Sequence, residues 1–467
     1  MRVVTHLTRE GRLMRAPAKP RRPQPTTLQQ ALASFLTPAA WRQAHRAWRC
    51  RHADCRWRLR PLVLVLLLMT WVTGDSQAER FETARAFYVA CHQKGKRPGK
   101  TLPGFERALA RVPTPVLRAL AAAVRHVLGQ RFLPLLPAGG FVPVGCDGSR
   151  LECPRAAELE GRLRQTSKKD SAPALWLTAL VLLPAGLLWA WQVGPGTASE
   201  QAHALRLLRA LPAGALFVAD AGFLSYALFA ALEGARVPFL IRLSSRAYLY
   251  TERRVALARF RQGAVCYWPA WAQGAGLPPI RARLLRVRGK KADVWLLTNV
   301  RDRRRLGRRQ AGRFYRWRWG SEGLFRTYKR TLAKVKLRSR TVRLVHREAE
   351  VSLLAVQVLL AQAAAVRGRG AGAVVVPGSP RAALLRIRGE VTLTVGRELG
   401  PRQQRQYLRR LAQARGAARA RPSAKVRREW PRRKDHKPPK PPKLRVMPEA
   451  VKALRAKVLQ AAQGRKK

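Results

Sequence analysis

The chain has 467 residues, with 93 Lys and Arg against 25 Asp and Glu, a net charge of +68. That balance excludes a basic partner and points to a polyanion, most simply nucleic acid, because each phosphate contact releases counterions. A hydrophobic fraction of 47% excludes a merely basic, coreless binder and gives material for two to four domains.

Residues 1–27 read as a basic flexible arm ending Lys19-Pro20-Arg21-Arg22-Pro23-Gln24-Pro25. Residues 28–135 have helical periodicity and form a helical, DNA-binding type of domain. Leu28, Ala31, Leu32 and Phe35 share one face, and Thr37 can cap a helix that starts on Pro38. Further helices are expected over 78–91, 104–111 and 115–127. The apolar run 62–69, extended by Thr70, Trp71 and Val72, is short of the roughly 20 residues a bilayer span needs. No secretory signal is visible in residues 1–15. The six cysteines lack a paired C-x2-C spacing. Cys50, His52 and Cys55 are close together, but ordinary reduced cytosolic cysteines are the expectation.

At residue 141 the texture changes. Residues 141–146 read as a strand that delivers Asp147 to its end, with Gly148 and Ser149 as the turn. Strands follow at 175–183 and 187–193, parted by Pro184 and Gly186, then a loop at 194–197 and a helix at 199–211. The strand 215–219 delivers Asp220, with Ala221-Gly222-Phe223 as a turn, then a helix at 225–232 and a strand at 237–243. This order predicts a mixed α/β sheet over 140–245. In open α/β sheets sites gather at strand ends. A carboxylate beside a buried strand is costly unless it meets a cation.

Residues 246–302 alternate short β-like runs (247–250, 264–268, 280–288, 292–297) with Gly and Pro turns, a β-rich insertion. The core resumes over 303–366. There Phe314 to Thr331 carries Tyr315, Arg318, Glu322 and Lys329. At about 100° per residue, all four fall within roughly 60° of one helical face. One carboxylate among two cations and a phenol suits a face that holds a metal and grips phosphates. A solvated basic helix with a chance glutamate has the same pattern. Trp317 and Trp319 read as packing residues. A strong helix is expected over 342–366. Its Glu348 and Glu350 are alternatives to Glu322 as a ligand, but neither sits in the Tyr, Arg and Lys spacing. Residues 367–414 read as linker and helix, and 415–467 as a basic Pro-rich tail, disordered to about 446.

The spacing Y-x2-R-x3-E-x6-K of Tyr315, Arg318, Glu322 and Lys329 resembles the signature of the insertion-sequence family 4 group of DDE transposases. Asp147-Gly148-Ser149 resembles that family's first-Asp motif, usually Asp-Gly-Thr. Asp220-Ala221-Gly222-Phe223 resembles its second, often Asp-Arg-Gly-Phe. Residues 296–300 look like the strand placed before the glutamate helix. The likeness covers roughly 140–365. Ser149 keeps the usual hydroxyl, whereas Ala221 removes a possible phosphate contact.

The resemblance implies a ribonuclease-H-like mixed-sheet core with a β-rich insertion. It implies Asp147, Asp220 and Glu322 as catalytic metal ligands, and Tyr315, Arg318 and Lys329 as contacts to DNA. Two Mg²⁺ ions per site are implied, with Mn²⁺ as a substitute. The implied partners are double-stranded DNA, as transposon ends and target, and a second copy of the chain on that DNA. A bacterial cytoplasmic, nucleoid-associated setting without membrane contact follows. Some members pass through a hairpin, with a flipped base stacked on a tryptophan of the insertion; Trp268, Trp271 and Trp295 are candidates. The expected function is a cut-and-paste DNA transposase. The alternatives are a nuclease of the same fold that cuts without joining, and a basic DNA-binding derivative that has lost catalysis.

Overall fold

The computed structural model describes residues 28–48, 55–92, 96–163, 172–289, 292–334, 336–367, 373–398 and 440–464. The expectations for the arm at 1–27, for Cys50 and His52, and for 399–439 lie outside them. Six helices come first: α1 (Leu28–Phe35), α2 (Pro38–Ala47), α3 (Leu59–Trp71), α4 (Gln77–Cys91), α5 (Leu102–Arg111) and α6 (Thr114–Phe132). Thr37 accepts from Ala40 N and Pro38 opens α2, as its sequence anticipates. The apolar run forms the middle of α3, which is buried nearly all round against its neighbours. No helix among the described residues is long and apolar enough to cross a membrane.

The sheet follows. Its strands are β1 (Val142–Glu152), β2 (Ala174–Leu182), β3 (Leu187–Pro195), β4 (Ala215–Ala219) and β5 (Phe239–Arg242). Between them lie α7 (Ala157–Arg162), α8 (Glu200–Leu207) and α9 (Tyr226–Gly234). β1, β2 and β3 form an antiparallel meander, and β4 and β5 run parallel to β1, in the order β3-β2-β1-β4-β5. This is a ribonuclease-H-like mixed sheet. β4 is apolar and buried throughout, as a strand with parallel neighbours and two covered faces should be. Gly186, at φ +62°, lets the tight β2–β3 connection close.

Two sequence expectations change here. β1 does not end at Cys146. Its parallel pairing with β4 stops at Cys146 opposite Ala219, but its antiparallel pairing with β2 carries it on to Glu152. Gly148 and Ser149 are therefore strand residues, and Asp147 marks the end of β4's coverage rather than the end of β1. The inserted segment, in turn, extends the same sheet. β6 (Tyr248–Thr251), β7 (Gln262–Tyr267), β8 (Ile280–Val287) and β9 (Val294–Thr298), with α10 (Ala270–Gly274), continue outward from β5 through β9.

The remaining helices are α11 (Arg308–Trp317), α12 (Gly320–Arg326), the long α13 (Val342–Ala363) and, after the small hairpin β10 (Ala365–Arg367) and β11 (Val374–Val376), α14 (Pro380–Glu398). Thr341 caps α13 through Leu344 N. α13 packs against α3, α5 and α6 on one side and β3 on the other, so it joins the helical region to the sheet. Leu353, Leu354, Val356 and Leu359 are fully buried there, each contributing roughly 1.5–3 kcal/mol. Within the expected basic tail, β12 (Lys443–Val446) adds in parallel to β6, and α15 (Glu449–Gly464) follows.

Candidate active site

Asp147 projects from β1 where β4 ends, and Asp220 is the residue just after β4. The sheet register thus makes the two aspartates neighbours. Each is held by a nearby glycine amide. Asp147 Oδ1 accepts from Gly148 N at 2.9 Å, and Asp220 Oδ1 accepts from Gly222 N at 3.2 Å. Their other oxygens face one guanidinium. Arg318 Nη1 lies 3.5 Å from Asp147 Oδ2, and Nη2 lies 3.9 Å from Asp220 Oδ2. Arg242 of β5 adds a second cation, 3.4 Å from Asp220 Oδ2.

Arg318 is where it is because the glutamate-bearing segment is not one continuous α-helix. α11 ends at Trp317, and the bonds from Arg318 N to Tyr315 O and from Ser321 N to Arg318 O span three residues. Such a turn advances by about three residues per revolution, so Arg318 and Ser321 lie over one another. Ser321 Oγ is 2.8 Å from Asp147 Oδ2 and 2.7 Å from the Arg318 carbonyl. It has one proton, and the carboxylate is the stronger acceptor.

The same tightening corrects the single-face expectation. Glu322 sits one residue past Ser321, on the exposed side of α12. Beyond α12 the chain loosens into a π-turn over Thr327–Thr331 that carries half-buried Lys329. Lys329 lies in the field of Glu152, at the far end of β1. That is roughly 16 Å along the strand from Asp147. Burial lowers its pKa, and Glu152 partly offsets this. Tyr315, read as a DNA contact, is only 6% exposed. Its ring centroid lies 5.4 Å from the guanidinium carbon of Arg318, a cation–π platform. Burial raises its phenol pKa. Arg318 is equally covered, at 5% exposed, and its Nε has no partner among the described residues.

So the structure brings Asp147, Asp220 and Arg318 together, with Tyr315 beneath, and leaves Glu322 and Lys329 outside that contact. Among the described residues, no three His, Cys, Asp or Glu side chains stand close enough to form a ready-made metal cluster. The donor chemistry still fits a hard divalent cation, because two neighbouring carboxylates each turn an oxygen toward one point where the Arg318 guanidinium now supplies the charge.

Sequence reading missed Glu200. It opens α8, and its carboxylate packs on the two glycines that follow the aspartates. A Cβ at residue 148 would run into Glu200 Oε1, and one at residue 222 would stand 3.6 Å from Oε2. Burial, then Asp147, then Asp220 push its pKa up to about 7. The available signal was Gly148, a glycine just after the apolar run 141–146, where a glycine can mark close approach of another group. Glu348 and Glu350, the alternative ligands, are structural. Glu348 is fully enclosed by Lys334 Nζ at 2.7 Å and the amides of Arg338 and Ser339. Glu350 bonds Arg118 Nε at 3.0 Å and Trp191 Nε1 at 2.6 Å.

Among the tryptophans, Trp268 is 1% exposed and donates to Leu277 O, and Trp295 is buried against Phe260. Trp271 is 59% exposed, with its ring edge-on to Tyr226. Trp319 was expected to pack; it is 58% exposed, with the Arg318 guanidinium carbon 5.2 Å from its ring centroid.

No curated protein matches the chain. A cryo-EM structure of the piggyBac transposase synaptic complex with hairpin DNA is similar over 83% of this chain and 85% of that chain, at 11% identity and a TM-score of 0.45. Residues 147–357 match the family model described as a transposase DDE domain, a span that opens on Asp147 and takes in Asp220, Arg318 and Glu322, and this part of the chain is accordingly similar to DDE transposases.

Proposed function

We propose that the chain is a DNA transposase of the insertion-sequence family 4 type, which cleaves transposon ends and joins them to target DNA. The observation that carries this reading is the convergence of three motifs on one point. Asp147 and Asp220 face the same Arg318 guanidinium, which comes from 171 residues further along the chain than Asp147. The net charge of +68 supplies the general attraction to DNA.

Asp147 and Asp220 would hold Mg²⁺ or Mn²⁺, with Glu322 of the adjoining helix as third carboxylate. Such ions, when bound, lower the pKa of the attacking water or 3′-hydroxyl and stabilise the leaving oxygen. The chain's own residues set the geometry. Ser321 fixes the Asp147 carboxylate, Gly222 N fixes that of Asp220, and Tyr315 supports Arg318 from below. Once the aspartates are engaged elsewhere, the Arg318 fork is available to a phosphate beside the scissile bond. Lys329, in the turn near the far end of β1, suits the flanking DNA strand. Exposed Trp271 suits an unstacked base at the end. Two ends require two sites, so a pair of chains on DNA is the working assembly.

A strand-transfer assay tests this reading, with Mg²⁺ and a labelled duplex taken from the repeats flanking the gene. Joined product is the expected result, lost in Asp147→Asn, Asp220→Asn and Glu322→Gln. Cutting without joining assigns a nuclease instead. DNA binding without cutting, by wild type and Glu322→Ala alike, overturns the catalytic reading.

A further inference from the structure

β3 ends the sheet and, among the described residues, pairs only with β2. Its outer side is the floor of a cleft of about 310 Å³ between α6 and the end of α8. Four arginines converge on it from two distant parts of the chain: Arg118 and Arg125 from α6, Arg206 from α8 and Arg209 just beyond. Trp189 and Gln192 of β3 line the floor. Arg118 is anchored by the buried Glu350 carboxylate. Arg125, Arg206 and Arg209 have no carboxylate within 4 Å among the described residues. The positive field of Arg206 and Arg118 reaches the buried His203 of α8. Burial first, then Arg206 and Arg118, hold His203 down to about 4.

Uncompensated arginines are common in so basic a chain, and cations beside an edge strand also deter pairing with other strands. This group differs in being concave, with planar donor forks on both walls. We propose that the cleft binds the phosphodiester backbone of duplex DNA outside the catalytic centre, a proposal that rests on the chain acting on DNA. The volume admits a phosphate and part of a sugar but no base pair, so the contact is to backbone and independent of sequence. Trp191, on the cleft floor, is in register with Ala179 and through it with Asp147. Two strand spacings are about 10 Å, which is about three base pairs of rise. Backbone held in the cleft therefore belongs to the duplex that runs up to the reacting end.

The test is a salt titration of duplex binding, followed by fluorescence anisotropy, on the full chain and on Arg206→Ala/Arg209→Ala. Both side chains are exposed, so the fold is retained, which a melting curve checks. The alanine pair should bind roughly tenfold more weakly, with a log–log salt slope shallower by about 1.8, and the corresponding lysine pair should keep the wild-type slope. An unchanged slope in the alanine pair, with duplex binding intact, overturns the cleft alone. No duplex binding by the wild type overturns the DNA reading beneath it. If inorganic pyrophosphate raises the melting temperature of wild type but not of the alanine pair, while their duplex slopes agree, the cleft is a small-anion site and the DNA assignment fails.

Discussion

Ser321 Oγ donates to Asp147 Oδ2 at 2.8 Å across 174 residues of sequence. The first aspartate is thereby fastened to the helix that carries Glu322. Replacing Ser321 with Ala should cost about 1–2 kcal/mol in a denaturant melt, since the acceptor is a partly buried carboxylate. Threonine should restore most of it. Cleavage should fall in the alanine variant even at temperatures where it remains folded.

Arg318 supplies the positive charge between the aspartates. Arg318→Gln should destabilise the cation-free protein by about 2 kcal/mol, because it leaves carboxylates facing one another. The same variant should gain more in melting temperature than wild type when Mg²⁺ is added, since no guanidinium competes for the oxygens. Thermal scans with and without Mg²⁺ read both effects. Cleavage should be lost throughout.

Glu200 makes stability depend on pH. Its carboxyl stands at about 7 in the fold against an ordinary 4.5, through burial and then the charges of Asp147 and Asp220. A carboxyl raised on folding contributes stability that is complete below about pH 4.5 and is lost as pH rises through about 7. In chelator, wild type should lose melting temperature over that window, and Glu200→Gln should lose less. Equal slopes for the two proteins would remove Glu200 as the cause.

Gly148 is the opening that admits the Glu200 carboxylate. Gly148→Ala should cost about 1–3 kcal/mol by overpacking. Shortening the clashing side chain with Glu200→Ala should recover a large part of that loss. A double-mutant cycle in urea measures the coupling.

The buried acids of α13 behave differently. Glu350→Ala leaves the Trp191 Nε1 donor without its acceptor, while solvent can reach Arg118, and should cost about 1–3 kcal/mol. Its Mg²⁺ response should match that of wild type, because Glu350 faces α6 and β3 rather than the aspartates.

The strands of the core were legible because apolar runs such as 215–219 are bounded by turn residues, and the order of elements left few topologies. The placement of Asp147 and Asp220 beside one another follows from that order. Three features were hidden. Asp147-Gly148-Ser149 has turn chemistry, yet it is strand, because pairing with residues 177–179 prevails over local preference. The helical face of Tyr315, Arg318, Glu322 and Lys329 assumed a constant period. The turn tightens at Arg318 to Ser321 and widens after Arg326, so residues that share an ideal face end on different sides. Glu200 stands in a helix's first turn, where an acid is ordinary, and only the long-range approach of Gly148 and Gly222 gives it meaning.

β12 reaches β6 from 194 residues away, measured at the Thr251–Arg445 contact. A ribosome delivering this chain will have released β6 long before its outer neighbour emerges. During that interval β6 offers a bare row of amides and carbonyls to any passing strand, including the same segment of another nascent copy. Tethering of Glu252 by Arg455 of α15 would complete the seal only once the later segment has emerged. Assembly of this sheet is therefore ordered in time, and a chain interrupted before residue 440 would be left with one sticky side.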